Sequence, residues 1–585
     1  MAHRPGLALV ILLGLHVSLG VAFSLTTPLF EAPDEENHFL FVRYLQLYRE
    51  LPVQTLDPQG PRAHHPPLYH LLGALLSAWV PQTGNAHAID MRVNPHVAFR
   101  YGDPGLENKA LYVHYTPDER WPYRGQALAV HVTRLLSVAF SALAVLFTYG
   151  LARELRPDEP AFALLAAGLI AFNGSVLFMA GVVQNATAAL ASGAAILYTL
   201  GRGLRRGFTF RRWLAVGLAL AGGVLLQTSA LTLAAAVGLA GLYDLGRRRA
   251  QLARVVREAG LGLGLPVALL DGWWFWRNQL LYGDWTANRT IAALWTYGPI
   301  QPLSQTVYNM ATGLVGRYGQ GLMVDYPPVV YYVAYAVSLL AVAGALRVIW
   351  RARPRQWTRP ALAAWLTPGR AQWVMHGGAV AAVSLALLVY LYFYIHGLHG
   401  RYAFTVFPSL AVMFAGGLLA WAPPRLHRRM AAAALAAAGL LAVSGLGRLA
   451  ATYGPPPAPT SAQLQTMTPL DANLGDTARL LGYRLSAAKL KPGAALEVTV
   501  AWEPLSQTDV PYTIFLHLID PVRGLLAQVD RYPGFGNWAT TVWDVGRPFV
   551  DVYHLILPAD APAADARLVL GLYNAETMQR LPVAG

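Results

Sequence analysis

Residues Leu7–Phe30, LALVILLGLHVSLGVAFSLTTPLF, carry no charge and are followed at once by Glu31-Ala32-Pro33-Asp34-Glu35-Glu36-Asn37-His38. An apolar run of that length spans a bilayer as a helix, so four acids and an imidazole fall where the first helix emerges into water. Carboxylates at such a boundary carry a desolvation cost, and a chain that keeps them there is expected to use them. The side of the membrane they face therefore decides much of the functional reading. His3 and Arg4 precede the run, which is longer than a signal-peptide core and has no small-x-small cleavage site before Glu31. It is expected to persist as an uncleaved helix.

Composition agrees with a membrane protein. Of 585 residues, 55% are hydrophobic and only 13% charged, against about 25% charged in soluble domains. The net charge of +14 comes almost entirely from arginines clustered in short loops. That pattern marks topology rather than the continuous basic face a nucleic acid needs, so no nucleic-acid partner is expected. The absence of cysteine excludes disulfides and thiolate metal sites.

Bilayer-length apolar segments fall near 7–29, 127–151, 160–183, 185–201, 258–280, 328–350, 374–396, 401–421 and 430–448. The stretch 213–244 is too long for one helix and divides at Gln227-Thr228-Ser229, which gives about eleven crossings. Basic residues then occupy every second loop: Arg153 and Arg156, Arg202 to Arg212, Arg247 to Arg257, Arg347 to Arg370, and Arg425 to Arg429. By the positive-inside rule these loops are cytoplasmic. The loops 30–126, 281–327 and 397–400 then face outward, as does the tail from about 449. The acidic motif is expected outside.

The chain divides into a helical membrane domain over 1–450, a proline-rich linker over 451–475 built around Tyr453-Gly454-Pro455-Pro456-Pro457-Ala458-Pro459, and an outer domain over 476–585. In the last part the apolar period changes to two, as at Leu496, Val498, Val500 and Trp502 and again at Leu568, Leu570 and Leu572. Turns recur at Lys491-Pro492-Gly493, from Asp520-Pro521 to Gly524, at Tyr532-Pro533-Gly534 and at Asn574-Ala575-Glu576. The expected fold is a polytopic α-helical membrane domain followed by an all-β sandwich, with Trp502 and Trp543 in its core.

Ionisable residues are sparse within the spans. His131, Arg134 and Asp271 are the exceptions, near the outer ends of their helices, where His131 and Arg134 are placed to pair with Asp271. The outward loops add His64, His65, Arg100, Lys109, Arg124, Arg277, Arg289, Arg317, His399 and Arg401. These groups form one outer interfacial layer. That suits chemistry on a lipid-borne anion, whereas ion translocation calls for midplane charges. The segment His38–Tyr48 reads as an amphipathic interfacial helix, and His64-His65-Pro66-Pro67-Leu68-Tyr69 opens a second helix toward Val80 with proline in its first turn. His64 and His65 are adjacent, so their rings are expected to point apart, and no carboxylate triad is spaced around them to complete a metal site.

Taken together, Pro33-Asp34-Glu35-x-x-His38-Phe39, Pro66-Pro67-Leu68-Tyr69, the Trp273-Trp274-Phe275-Trp276-Arg277-Asn278 run with Tyr282-Gly283-Asp284, Gly316-Arg317-Tyr318-Gly319 and His399-Gly400-Arg401-Tyr402 resemble the GT-C glycosyltransferases. These are the polytopic enzymes related to protein O-mannosyltransferases and lipid A aminoarabinose transferases. The resemblance covers about 7–420, is strongest to an uncharacterised bacterial branch, and extends to the β-sandwich appended to some members. It implies a multi-pass protein of the bacterial cytoplasmic membrane with its C-terminal domain extracytoplasmic. The implied activity is inverting transfer of a sugar from a polyprenyl-phosphate donor to a hydroxyl of a glycan, lipid or protein acceptor at the outer face.

Asp34 matches the family's catalytic base. The chemistry agrees: a phosphate leaving group needs no general acid, so one carboxylate and stabilising cations suffice. Arginine also pairs with phosphate bidentately. Glu35 is the candidate second acid. The candidate substrate-binding set is His38, Arg43, His65, Tyr69, Arg134, Arg277, Arg317, Tyr318, Arg401 and Tyr402. Divalent-metal participation is left open.

The chain departs from the resemblance at two places. Val183-Gln184-Asn185-Ala186-Thr187 has no carboxylate where relatives often have one, and Gln227-Thr228-Ser229 stands where they commonly have lysine. A second acid then has to come from Glu35, Asp284 or Asp325. The competing readings are a non-catalytic transporter or scaffold for lipid-linked glycans and, less favoured because repeats are lacking, a channel. For the individual residues the bland readings are a helix N-cap for Asp34, snorkelling anchors for Arg317 and Arg401, and an aromatic interface belt for Trp273, Trp274 and Trp276.

Overall fold

The computed structural model describes residues 5–57, 60–81, 89, 91–96, 108–294, 302–320, 323–354, 356, 358–393, 399–561 and 565–584. Arg100 and positions 397–398 of the expected outer loop lie outside them.

Every apolar segment folds as helix. The first candidate span is α1 (Pro5–Thr26), followed in the first long loop by α2 (Glu35–Tyr48), α3 (Leu68–Leu76) and a two-stranded ribbon of β1 (Arg92–Val93) and β2 (Tyr112–Val113). Then come α4 (Gly125–Leu155), α5 (Pro160–Ala171), α6 (Gly174–Ala180), α7 (Ala186–Arg206), α8 (Phe210–Leu226), α9 (Ala234–Arg247), α10 (Leu252–Ala259) and α11 (Leu265–Tyr282). The expected division at Gln227 is real: α8 ends there, and a 3-10 turn over Thr228–Leu233 leads into α9. The next outer loop holds α12 (Asn288–Leu294), α13 (Leu303–Val315) and a hairpin of β3 (Arg317–Tyr318) and β4 (Val324–Asp325). The remaining helices are α14 (Pro328–Ala352), α15 (Arg359–Trp365), α16 (Pro368–Phe393), α17 (Phe407–Leu419) and α18 (Pro424–Tyr453).

By length and hydropathy, seven of the described helices can cross a membrane, or eight if α5 and α6, bent by 56° at their junction, form one span. About eleven crossings were expected. The difference has a local cause. α8 is only 17 residues long. α7 ends in Arg202, Arg205 and Arg206, and α11 carries Asp271, Arg277 and Asn278. α4 and α7 pack along each other, and with α5, α8, α9, α16 and α17 they enclose the main apolar core.

The loops sort to two ends, as the arginine pattern predicts. At one end Arg206 pairs with Glu154 at 2.6 Å, Gln372 reaches the Glu154 carbonyl, and His427 approaches Glu159. At the other, the first loop, the α11–β4 region and the segment before α17 converge on Asp34.

The C-terminal region is antiparallel. One sheet orders β10 (Phe549–Ile556), β7 (Ala495–Pro504), β6 (Ala478–Leu485), β5 (Thr468–Leu474) and β12 (Val583–Ala584); the other orders β11 (Arg567–Asn574), β8 (Tyr512–Asp520) and β9 (Gly524–Arg531). Leu496, Val498, Val500 and Trp502 point alternately into a shared core with Leu516, Leu572 and Trp543. Away from those tryptophans a leucine-lined cleft of about 1540 Å³, open to solvent, lies between the two sheets. The sheet starts earlier than expected. Thr460 closes a capping box with Gln463, and β5 begins at Thr468, inside the stretch taken as linker, because Ala472 and Leu474 pair with β6. The sandwich rests on the first outer loop, where Lys109 N–H donates to the Phe535 carbonyl and Arg120 pairs with Asp544.

Candidate active site around Asp34

The acidic motif folds as a tight entry into α2, and its four acids separate into four environments. Asp34 adopts a left-handed backbone, φ 61°, at the N-cap of α2. Aspartate tolerates this conformation better than most residues. Arg62 Nη2 donates to Oδ1 at 3.0 Å and Arg401 Nη2 to Oδ2 at 2.6 Å, while the Asp34 N–H donates to Gln320 Oε1 at 3.2 Å. Three separate segments therefore meet at Asp34, two of them at its carboxylate, whose side chain keeps 21% exposure. Burial acts to raise its pKa, but the charges and hydrogen bonds of Arg401 and Arg62 outweigh it and hold Asp34 well below the usual carboxylate range.

Glu35, the next residue, is sealed. Its Oε1 accepts from Arg134 Nε at 2.8 Å and Val183 N–H at 2.7 Å, and its Oε2 from Arg134 Nη2 at 2.7 Å and Phe30 N–H at 3.0 Å. Both side chains have 0% exposure. The same guanidinium donates to the carbonyls of Ser24, Thr27 and Pro28, the orphan acceptors at the end of α1. Arg134 thus ties the end of α1 to the start of α2, which places Asp34. Asp271 is not the partner of Arg134: both its carboxylate oxygens are buried without a hydrogen bond among the described residues.

Glu31 is also fully enclosed, accepting from Leu111 and Tyr112 N–H and approached by His114 Nε2 at 3.3 Å, so it anchors β2. Glu36 differs from all three. It is half-buried, and its Oε2 has no partner among the described residues.

α2, expected as an interfacial helix, packs one face against the protein. His38, Phe39, Val42 and Arg43 are buried beneath α3 and α4, because the polar groups of α2 find partners inside: Asn37 Nδ2 donates to the Gly60 carbonyl, and Arg43 Nη1 to Gln126 Oε1 at 3.3 Å. Beside Asp34 lies a histidine stack. His38 Nδ1 and His70 Nε2 are 2.9 Å apart, and the His38 and His65 rings stack with centroids 5.0 Å apart. The His64 and His65 rings do not point apart; their centroids are 4.2 Å apart, and the turn before α3 brings them together. Burial, then neighbouring positive groups, lower the pKa of each, that of His65 to about 4, so the stack is neutral at pH 7. Among the described residues no three His, Cys, Asp or Glu side chains are arranged to hold a metal ion.

The remaining candidates divide by distance from Asp34. Arg401 is in the cluster, and Tyr402 lies beside it, its ring centroid 5.7 Å from the guanidinium carbon. A Cβ on Gly400 would stand 2.3 Å from the Gly313 carbonyl carbon, so only glycine lets this segment seat against α13 and present Arg401. Arg317 sits apart, held by Asp325 Oδ1 at 2.7 Å and Asn309 Oδ1 at 2.9 Å. Tyr318 is core, its hydroxyl 2.5 Å from that of Tyr326. Tyr69 is buried with its hydroxyl on Ser137 at 2.7 Å. Arg277 donates to the Pro52 carbonyl, and the adjoining Gln54 binds His64, so Arg277 buttresses the histidine stack from α11.

Arg62 escaped sequence reading altogether. Its only signal was position, two residues before His64 in a loop already marked by histidines and prolines. The two departures from the family pattern turn out to be partners, since Asn185 Nδ2 donates to Gln227 Oε1 at 2.5 Å. Where a second acid and a lysine were looked for, two neutral amides bind each other. Asp284 caps the turn at Thr286, and Asp325 pairs with Arg317.

The fold is similar to solved membrane glycosyltransferases. ArnT from Cupriavidus metallidurans bound to undecaprenyl phosphate matches over 75% of this chain and 73% of its own, with 13% identity and a TM-score of 0.42. Its apo state matches over 76% and 74%, with 14% identity and a TM-score of 0.40. The S. cerevisiae protein O-mannosyltransferase Pmt1-Pmt2 complex bound to the sugar donor matches over 48% of this chain and 35% of that one, with 17% identity and a TM-score of 0.32. No protein-family model and no curated protein sequence matches the chain.

Proposed function

We propose that this protein is a membrane glycosyltransferase that moves a sugar from a polyprenyl-phosphate donor to an acceptor hydroxyl at the outer face of the membrane, with Asp34 as the base. The observation that carries this reading is the Arg62–Asp34–Arg401 cluster: one partly open carboxylate bracketed by two guanidiniums at the end of the molecule opposite the arginine-rich loops. Asp34 held this way is ionised but a poor base. An incoming phosphate competes for the same guanidiniums, and each hydrogen bond it takes from Asp34 raises the basicity of the carboxylate. Donor binding and base activation are then one event. Asp34 takes the proton of the acceptor hydroxyl, and the oxygen attacks the anomeric carbon from the face opposite the phosphate. The bond from that carbon to the phosphate oxygen breaks, its electron pair leaves on the phosphate, and Arg62 and Arg401 stabilise the charge. No described carboxylate stands ready as a nucleophile, which fits a single displacement with inversion.

Radiolabelled polyprenyl-phosphate sugars offered to the purified protein with a panel of acceptors test the reading. Transfer by wild type that Asp34→Asn abolishes is the expected result. Full activity in the variant would remove Asp34 from the mechanism. No transfer across the panel would favour a non-catalytic transporter or scaffold of lipid-linked glycans.

A further inference from the structure

Glu36 lies two residues past Asp34 on the first turn of α2, and no step above uses it. Its Oε2 is buried and lacks a partner among the described residues. Leaving such an atom unpaired costs about 1–3 kcal/mol, and folded proteins seldom retain one without a further group that completes it. The charged and titratable groups around it are Asp34 and Glu35 on its own turn, Arg62 from the following loop and Tyr112 from β2. Burial, then the negative charge of Asp34, push the Glu36 carboxyl up to about 8, so it keeps its proton at neutral pH. Two carboxyls two residues apart are thus set to opposite protonation states, one an ionised acceptor and the other a neutral donor.

Position indicates which substrate meets Glu36. The lipid tail of a donor arrives from the helices, and its phosphate goes to Arg62 and Arg401. Glu36 lies instead toward Tyr112, on the ribbon whose next residues, Val113 and Tyr115, pack against Tyr532 and Ala539 of the β-sandwich. On the transferase reading, that is the side from which an acceptor approaches. The charges indicate its chemistry. Asp34 is matched by two arginines, Glu35 by Arg134, and Glu36 is neutral, so none of the three offers an uncompensated charge to an ammonium group.

We propose that Glu36 is an acceptor-binding residue, whose buried carboxyl oxygen, left without a partner among the described residues, hydrogen-bonds a hydroxyl of the acceptor and holds it against Asp34. The inference rests on the transferase reading, and the experiment separates the two. Full-length protein in lipid nanodiscs is assayed with saturating polyprenyl-phosphate sugar and varied polyol acceptor, as wild type, Glu36→Gln and Glu36→Leu. Glu36→Leu should raise the acceptor KM about tenfold, the loss of one hydrogen bond, with the donor KM and kcat nearly unchanged. Glu36→Gln, neutral and still a donor, should stay within about threefold of wild type at pH 7. In wild type the acceptor KM should climb as pH rises through about 8, and Glu36→Gln should lose that climb. An unchanged acceptor KM in a folded Glu36→Leu, or a rise in donor KM alone, overturns the assignment while leaving the transferase reading intact. Absence of turnover by wild type overturns both.

Discussion

Asp34 and Glu35 are neighbours in the chain and opposites in the structure. Glu35 is enclosed at the top of the helix bundle, each oxygen taken by Arg134 and a backbone N–H. Asp34 is held by two arginines from other loops and remains partly open. The difference lies in the partners each carboxylate meets: Arg62 and Arg401 from other loops for Asp34, Arg134 and two backbone N–H groups for Glu35. A buried ion pair is difficult to break because removing one partner strands the other. A partly open one is easily exchanged, and exchange is what a phosphate-binding site requires. On the proposed reading the knot of Glu35 and Arg134 supports the site, and Asp34 with Arg62 and Arg401 acts.

The sharpest way to break this contrast is to neutralise each acid in turn. Asp34→Asn should lower turnover roughly 10²–10⁴-fold with little change in the thermal midpoint. Glu35→Gln should do the reverse: it leaves Arg134 half-answered and costs about 3–5 kcal/mol of stability, read as lost expression or a large drop in melting temperature, while the protein that does fold keeps most of its kcat. If both variants lose activity and keep their stability, the division of labour is wrong. A smaller effect is expected at the guanidiniums. Arg62→Gln and Arg401→Gln should each raise the donor KM about tenfold and leave the acceptor KM alone, which steady-state kinetics with varied donor would show.

The smallest effect concerns Glu36 and pH. Its carboxyl ordinarily ionises near 4.5 but keeps its proton in the folded protein to about 8. Its contribution to stability is therefore complete below pH 4.5 and is lost as pH rises through 8. Glu36→Gln removes that dependence. The variant should melt a few degrees above wild type at pH 8 and level with it near pH 4, as thermal unfolding in matched buffers would reveal.

Much of the molecule was legible in order. Apolar length located the helices, the glutamine break separated α8 from α9, and period-two leucines marked the strands that line the sandwich core. Arginine spacing sorted the loops to two ends. Individual site residues were less legible, since a motif reports a neighbourhood and not a direction. Arg317, Tyr318, Tyr69 and Arg43 were all candidates for substrate contact, and in the structure each has a partner within the protein. Arg62 carried no motif at all, and only the folding of the first loop back over α2 brings it to Asp34.

The sequence by itself determined that the chain is a membrane helical domain with a β appendage and that its acidic motif falls at the end away from the arginine-rich loops. Hydrophobic length, period and charge bias are local quantities that one strand of letters contains. Only the tertiary structure decided which acid is sealed, which is clamped and which keeps its proton. That choice depends on the partners three distant loops bring within hydrogen-bonding reach, and on the water those contacts exclude.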